Sequence, residues 1–438
     1  MSACAARLDR LPLSRFHLSL LLIGGLGFLF EAMDVAIIAF VLPAIREQWD
    51  LSNQAVGLLA GSASMGGIAG AFLGGWLGDR FGRKQVMLYA LAVYTLATLG
   101  CAMSTSWTQF LFWRIIAGFG TSAEAIIIVP YLIEFVPPAV RGRFIGTLSA
   151  FLSLGFLCAA VLGYLLVPGS PEGWRRALFV GVLPILLLLW WRRTLPESPR
   201  WLESQGRDAE ALAVIERIEA RVARSKALPP VPPHAAAPDA APGRARVGDL
   251  FRTALRPRML SAIILFFAIG FSHYAFFSWM PSLLVGRGMS ISSSFAYSLA
   301  IYGAQLPGYL TAAWVNDAFG ARRTIIWYIT ASALASFALA LAGSNQAILI
   351  GSIALSFSMN GVLAGVYAFV PTLFPTGLRA TAQGIAGVAT RCAATISPIL
   401  IGLSYADIGF AGVFIGIGMV LMLGVVPIAM LRKAGSLL

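Results

Sequence analysis

The sequence predicts an all-α membrane protein whose twelve transmembrane helices form two six-helix bundles, and three observations lead there. Of 438 residues, 58% are hydrophobic and only 12% are charged. The mean hydropathy is +0.81, and apolar runs of about twenty residues, the length that crosses a bilayer, recur along the whole chain. Basic residues cluster at alternate ends of those runs. Finally, three separate stretches of sequence recur with one constant offset of 238 positions.

The first span, about 18–42, holds Glu31 and Asp34 and ends at Pro43. The second and third, about 55–77 and 84–103, are joined by GWLGDRFGRK. The fourth, about 107–135, carries Arg114, Glu124 and Glu134, and spans at about 144–167 and 175–194 complete the first bundle. The second bundle runs through about 259–285, 293–315, 323–343, 346–374, 380–405 and 409–431. Twelve crossings return both termini to one side. Arg7, Arg10, Arg15, Arg80, Arg83, Lys84, Arg141, Arg143, Arg322, Arg323, Arg379, Arg432 and Lys433 fall on that side, against Arg46, Arg175, Arg176 and Arg287 opposite. By the positive-inside rule the termini are cytoplasmic. The net charge of +13 is therefore topological, and no nucleic-acid partner is expected.

Cys4, Cys101, Cys158 and Cys392 lack metal-ligand spacing, so no metal and no disulfide framework is expected. Arg7, Arg10 and Arg15 precede a span too long for a cleavable signal. No Asn-x-Ser/Thr acceptor occurs and the outer loops are short. A bacterial inner membrane is the expected location, and a monomer the expected state.

The repeat aligns Trp76, Asp79, Phe81 and Gly82 with Trp314, Asp317, Phe319 and Gly320. It also aligns Pro137, Arg141 and Gly146 with Pro375, Arg379 and Gly384, and Pro43 with Pro281. A parallel repeat of this kind places a substrate site between the halves near the bilayer midplane. The chain divides into a first bundle at 1–194, a linker at 195–258 and a second bundle at 259–438. Within the linker, EALAVIERIEARVARSK has helical apolar spacing. ALPPVPPHAAAPDAAPG has the composition of a disordered connector.

Asp79 sits at a helix end among Arg80, Arg83 and Lys84, where glycines permit a tight turn. With Arg141, such a cluster can latch helices together in one conformation and release them in another. Its repeat holds Asp317, Arg322 and Arg379, but Asn316 replaces a glycine and Ala318 an arginine, so an asymmetric latch is expected.

GGWLGDRFGRK, together with Leu111, Arg114, Gly118 and Gly120 on the fourth helix, resembles the major facilitator superfamily across essentially the whole chain. PESPRWL at Pro196–Leu202, with VPPAVRGR, is similar to the sugar-porter and organic-ion-transporter branches. The overall pattern is most similar to bacterial nicotinate (niacin) permeases, which are relatives of animal organic anion and cation transporters and of synaptic vesicle glycoprotein 2. The animal proteins carry a large extracellular domain after the first helix, where this chain has only about ten residues. The resemblance implies the major facilitator fold and alternating access. It also implies no cofactor, the proton gradient being the energy source. An enzyme is not expected from the residues either, because no nucleophile is paired with a base and no phosphate-binding glycine loop occurs.

An ionisable group at bilayer depth costs at least about 2.5–3.5 kcal/mol, so each one needs a reason. Six are expected there: Glu31, Asp34, Arg114, Glu124, Glu134 and Arg391. Glu134 is near Arg141 and Arg143 in sequence and reads as a structural salt bridge. At roughly 1.5 Å per residue, Asp34 and Arg114 both lie about 10–12 Å deep, which permits a contact. In proton-coupled sugar porters a first-helix acid and the fourth-helix Arg form the coupling couple. The resemblance thus implies Asp34 as proton carrier and Arg114 as its partner, the alternative being a permanent ion pair in a uniporter. Glu31 lies one turn from Asp34 and nearer the depth of Arg391. Glu124 is either a second protonation site or a structural partner.

Arg391 lies in VATRCAATISP, which resembles the eleventh-helix segment of organic anion transporters, where an Arg binds the substrate anion. A guanidinium suits a carboxylate through two parallel hydrogen bonds; the alternative is a permanent pair with Glu31 or Glu124. Helix 7 reads GFSHYAFFSWMP, offering Tyr274, Phe277 and Trp279, and Tyr302, Gln305, Asn360 and Tyr367 lie near mid-depth on other helices. Stacking faces, amides and one Arg suit a flat ring bearing a carboxylate. The expected function is a proton-coupled symporter importing a small aromatic monocarboxylate, nicotinate first among them. A sugar permease, an organic-cation carrier, a drug exporter and a membrane sensor on a transporter fold are the alternatives.

Overall fold

The computed structural model describes residues 3–230, 247–252, 255–375 and 378–430, and all regular structure among them is helical. A short helix α1 (Ala3–Asp9) precedes α2 (Arg15–Trp49), α3 (Asn53–Phe81), α4 (Arg83–Ala102), α5 (Trp107–Ile133) and α6 (Arg141–Leu166). The sixth span is built from α7 (Gly173–Val180) and α8 (Pro184–Thr194). It is interrupted where Pro184 has no N–H to offer the Val180 carbonyl. Two linker helices follow, α9 (Pro199–Ser204) and α10 (Asp208–Ala223). The second half comprises α11 (Arg256–Gly286), α12 (Ile291–Gly303), α13 (Gln305–Phe319), α14 (Ala321–Ala340), α15 (Asn345–Phe369) and α16 (Arg379–Met430).

Ten segments among the described residues are long and apolar enough to cross a bilayer by themselves. The eighth crossing is shared by α12 and α13, because Pro307 cannot donate to Gly303. The eleventh and twelfth are both within α16, which turns at Gly409 with φ +60°. Twelve crossings result.

The repeat is as regular in structure as in sequence. Helix α14 begins and ends 238 positions after α4. Helices α5 and α15 start behind Ser106 and Ser344, whose hydroxyls accept from the N–H groups of Gln109 and Ala347 and so cap otherwise unpaired donors. Gly70 of α3 abuts the Phe119 carbonyl of α5 so closely that a Cβ would collide with it, and Gly308 of α13 abuts Phe357 of α15 in the same way.

Contacts group the chain into two compact units. The first is Met1–Val35, Met65–Ala159 and Arg175–Ala241; the second is Ala36–Ser64, Ala160–Trp174 and Pro242–Leu438. This division by contact differs from the division by repeat, since it cuts α2, α3 and α6 and gives their ends remote from the basic loops to the second unit. Within that unit Gly57 and Gly61 of α3 lie against α16. A Cβ on Gly57 would come within 2.7 Å of the Pro398 carbonyl oxygen, and one on Gly61 within 2.8 Å of the Thr395 oxygen. Phe40 of α2 meets the edge of Phe295 of α12 at 5.3 Å between centroids.

In the first unit α10 buries Ala211, Val214, Ile215, Ile218 and Val222, a single stripe at helical spacing. Helix α1 is bolted to it by Arg7, which donates to both oxygens of Glu219, and by Arg10, which donates to Oε1 at 2.6 Å. The Arg7 hydrogen bonds hold the Glu219 carboxyl below its ordinary range, Arg10 adds to this, and partial burial opposes it. Most of the Pro/Ala-rich connector, and both Arg432 and Lys433, lie outside the described residues.

Candidate transport site

Asp34 and Arg114 are brought together in the interior of the first unit, each 1% exposed. Arg114 Nη1 donates to Asp34 Oδ2 at 3.1 Å, and Nη2 to the Asp34 carbonyl at 3.4 Å. Thr98 Oγ1 of α4 donates to Asp34 Oδ1 at 2.9 Å, so both carboxylate oxygens are held. Arg114 Nε has no partner among the described residues. Coulomb attraction in this low-dielectric setting is strong, yet it must offset the desolvation of two ions. Such a pair makes no efficient strut.

Glu124 is also 1% exposed, with Oε2 unpartnered among the described residues. Its Oε1 lies beside Gly27, where a Cβ would come within 3.0 Å, and the Trp191 ring closes the same place. Glu31, half-buried, is near enough for its charge to act on Glu124.

In the second unit Arg391 is half-buried on α16, and its charge reaches Tyr367, itself an exposed residue. Along α11 the Phe277 ring lies 4.5 Å from His273 and 4.9 Å from Tyr302, and Tyr274 meets His273 edge-on. Tyr302 donates to the Phe277 carbonyl at 3.3 Å. Trp279 donates to the Pro398 carbonyl at 3.1 Å, which ties α11 to α16. Asn360 donates to Ser356 one turn back at 2.9 Å, whereas Gln305 Nε2, at the break between α12 and α13, has no partner among the described residues. Gln305 is thus a donor with spare capacity in a buried position.

At the basic ends of the helices the first latch is densely connected. Gly82, with φ +102°, turns the chain from α3 to α4. The Asp79 carbonyl accepts from Trp201 Nε1 at 2.8 Å, and Glu197 Oε1 accepts from the Lys84 N–H at 3.0 Å. The PESPRWL segment therefore seats α9 on this loop. Arg80 lies over the Trp76 and Phe81 rings at 5.4 and 5.5 Å. Glu134 pairs with Arg83 and accepts from the Ser198 hydroxyl. This corrects the expectation that Arg141 or Arg143 would serve Glu134. Arg141 instead pairs with Asp9 at 2.6 Å and donates to the Val136 carbonyl, because α1 covers that corner. The second latch is simpler. Arg379 donates to Phe374, the repeat of the Arg141–Val136 bond, and Arg322 donates to the carbonyls of Ile428 and Ala429. Asp317 is exposed and forms no salt bridge among the described residues.

A family model described as sugar (and other) transporter matches residues 22–435. The chain belongs to this family, within the major facilitator superfamily. It is 34% identical to the niacin transporter NiaP of Acinetobacter baylyi, over 95% of this chain and 94% of that one. It is 32% identical to the putative niacin/nicotinamide transporter NiaP of Bacillus subtilis, over 94% and 95%. The xylose transporter XylE of E. coli, in a partially occluded inward-open conformation, superposes with a TM-score of 0.76 at 19% identity, covering 94% of this chain and 97% of that one. A major facilitator transporter is a multi-pass membrane protein that moves a small molecule, and it is not an enzyme.

Several residues of this transporter escaped the sequence reading. Thr98, the third leg of the Asp34 site, is 64 positions away and carries no motif. Glu197, Ser198 and Trp201 belong to PESPRWL, so the signal was visible, but nothing in its spacing says that it docks on Asp79 and Glu134. Asp9 escaped because α1, at seven residues, leaves too little periodicity to read.

Proposed function

We propose that the protein imports a small aromatic monocarboxylate, nicotinate first, by proton-coupled symport and alternating access in a bacterial inner membrane. In this reading both termini are cytoplasmic, the monomer is the working unit, and the bundles at 1–194 and 259–438 rock about the linker. The observation that carries the reading is the buried Asp34–Arg114 pair with Thr98 as a third partner. The niacin-transporter relatives support this substrate class.

Asp34 is the proton acceptor. Protonation removes its negative charge while Thr98 can still hold Oδ1, and Arg114 loses its countercharge. The free-energy difference between the paired and unpaired arrangements biases the conformational equilibrium. Arg391 receives the substrate carboxylate through parallel N–H donors, and the aromatic rings of α11 with Tyr302 receive the pyridine face. Gln305 and Asn360 offer amide groups to the ring nitrogen. Glu31 and Glu124 set the charge balance of the empty site.

The test is uptake into cells of labelled nicotinate, nicotinamide, benzoate, choline and glucose, each with and without a protonophore. Nicotinamide keeps the ring and loses the charge. Concentrative nicotinate uptake that collapses with the protonophore and with Arg391→Ala supports the reading. Protonophore-insensitive uptake removes the coupling, and preferential nicotinamide or glucose uptake removes the carboxylate.

A further inference from the structure

A cavity of about 850 Å³ lies at the basic end of the first unit, outside every residue assigned to substrate or proton. Three walls form it: the start of α4, the end of α8, and α9 with α10. Its upper rim carries Lys84, Arg192, Arg207 and Arg217 against Glu197 and Glu210. Both acids are already engaged. Glu210 is held by two bonds from Arg207, each 2.7 Å, and Glu197 accepts the backbone N–H groups of Lys84 and Ser198. Arg192 and Arg217 have no carboxylate partner among the described residues. Lys84 Nζ is directed to the same place, donating to the Arg192 carbonyl at 3.1 Å. The end of α8 accumulates these cations at the negative pole of its helix dipole, which lowers the cost of gathering them.

One to two turns deeper the same cavity is apolar, lined by Leu88, Tyr89 and Ala92 of α4 and Leu188 of α8. These belong to segments that cross the bilayer, and the exposed Tyr89 faces away from the core. A cationic rim continuous with an apolar, outward-facing wall is an amphipathic receptacle. A soluble anion satisfies only its upper part. A lipid with a phosphate headgroup and an acyl chain satisfies both, and basic pockets at this depth are suited to anionic headgroups.

We propose that this cavity is a binding site for an anionic phospholipid of the surrounding leaflet, its phosphate between Arg192 and Arg217 and an acyl chain along Leu88, Ala92 and Leu188. The site is independent of the transport substrate. Native mass spectrometry of the delipidated full-length protein in detergent, titrated with phosphatidylglycerol or phosphatidylcholine, measures it. Phosphatidylglycerol is expected to bind more tightly than phosphatidylcholine. At roughly fivefold per cation, the double variant Arg192→Ala/Arg217→Ala weakens phosphatidylglycerol about 30-fold. Arg221→Ala on the same helix, outside the cavity, leaves it unchanged, and Arg192→Lys/Arg217→Lys retains most of it. Equal binding of the two lipids by the unaltered protein overturns the proposal, whether or not the alanine variant folds. So does undiminished phosphatidylglycerol binding by a folded double variant. Displacement of phosphatidylglycerol by an equal concentration of inorganic phosphate would make the ligand a free anion and overturn the lipid assignment.

Discussion

Counting 238 positions on from Asp34 and Arg114 reaches Ser272 and Ser352. Both serines are fully buried, and neither hydroxyl has a partner among the described residues. The same step takes Arg83 and Glu134, the ion pair beneath the first latch, to Ala321 and Thr372. In each case both charges are missing together. Arg391 runs the other way, since its counterpart in the first half is Ser153. The two halves therefore share the bounds of α4 and α14, the serine caps of α5 and α15 and close glycine contacts while differing in charge. Removing a buried pair whole is tolerable, whereas removing one member strands the other in a low dielectric. The repeat supplies the scaffold, and each half is specialised by what is placed on it.

The largest effect is expected from Arg114→Ala, which leaves Asp34 buried without its countercharge. Losing one member of a buried pair costs about 3–5 kcal/mol. The double variant Asp34→Ser/Arg114→Ser copies the second half and should recover most of that stability while concentrative uptake stays abolished. Denaturant or thermal unfolding in detergent measures the first, and vesicle uptake the second. A double variant as unstable as the single one would break the comparison.

Glu134→Thr is next, at about 1–3 kcal/mol, because it strands the partly exposed Arg83 and leaves the Ser198 hydroxyl without its acceptor. Adding Arg83→Ala should return part of the loss, read by the same unfolding measurement. Smaller again is the contrast between two glycines. Gly82→Ala and Gly320→Ala each force a side chain into a left-handed backbone at about 1–2 kcal/mol. Only at Gly82 would the new Cβ also lie 2.7 Å from Glu197 Oε2, while Gly320 has open space around it. Gly82→Ala should be the more harmful, and equal losses would remove Glu197 from the latch.

The smallest effect concerns Glu219, which has a depressed pKa and anchors α1. Its contribution is present in full above the unfolded carboxylate range, about 4.3. It is lost as pH falls through the lower folded value. Hydrogen exchange of residues 3–9 should therefore accelerate only in strong acid, and Glu219→Gln should make it fast at neutral pH.

Much of this was legible beforehand for a physical reason. Crossing a bilayer demands a contiguous apolar length, and that is a local property of sequence, so most span ends lie within four residues of the helix ends, while α2 runs seven residues past its expected end, to Trp49. The repeat was legible because Trp76, Asp79 and Gly82 have copies at one offset. The contact of Asp34 with Arg114 could be anticipated from equal depth, since rise per residue is fixed. Lateral placement has no such ruler. Thr98 joins Asp34 only because α4 happens to present it there, and Glu134 meets Arg83 instead of Arg141 because an unexpected α1 occupies Arg141. The break at Ala304 needed Pro307 to be read as a missing donor inside an otherwise continuous apolar run.

The seam of Gly57 and Gly61 against α16 has a further consequence. At Gly57 backbone approaches backbone, the three nearest atoms to an added Cβ all being main-chain atoms of α16, so one added methyl acts as a wedge. Overpacking of this size costs about 1–3 kcal/mol. At 1.4 kcal/mol per factor of ten, Gly57→Ala would move the balance between joined and parted helices by roughly 5- to 150-fold. On the proposed alternating-access reading, the seam would then set how long the protein dwells in one state, adjustable without altering any charge.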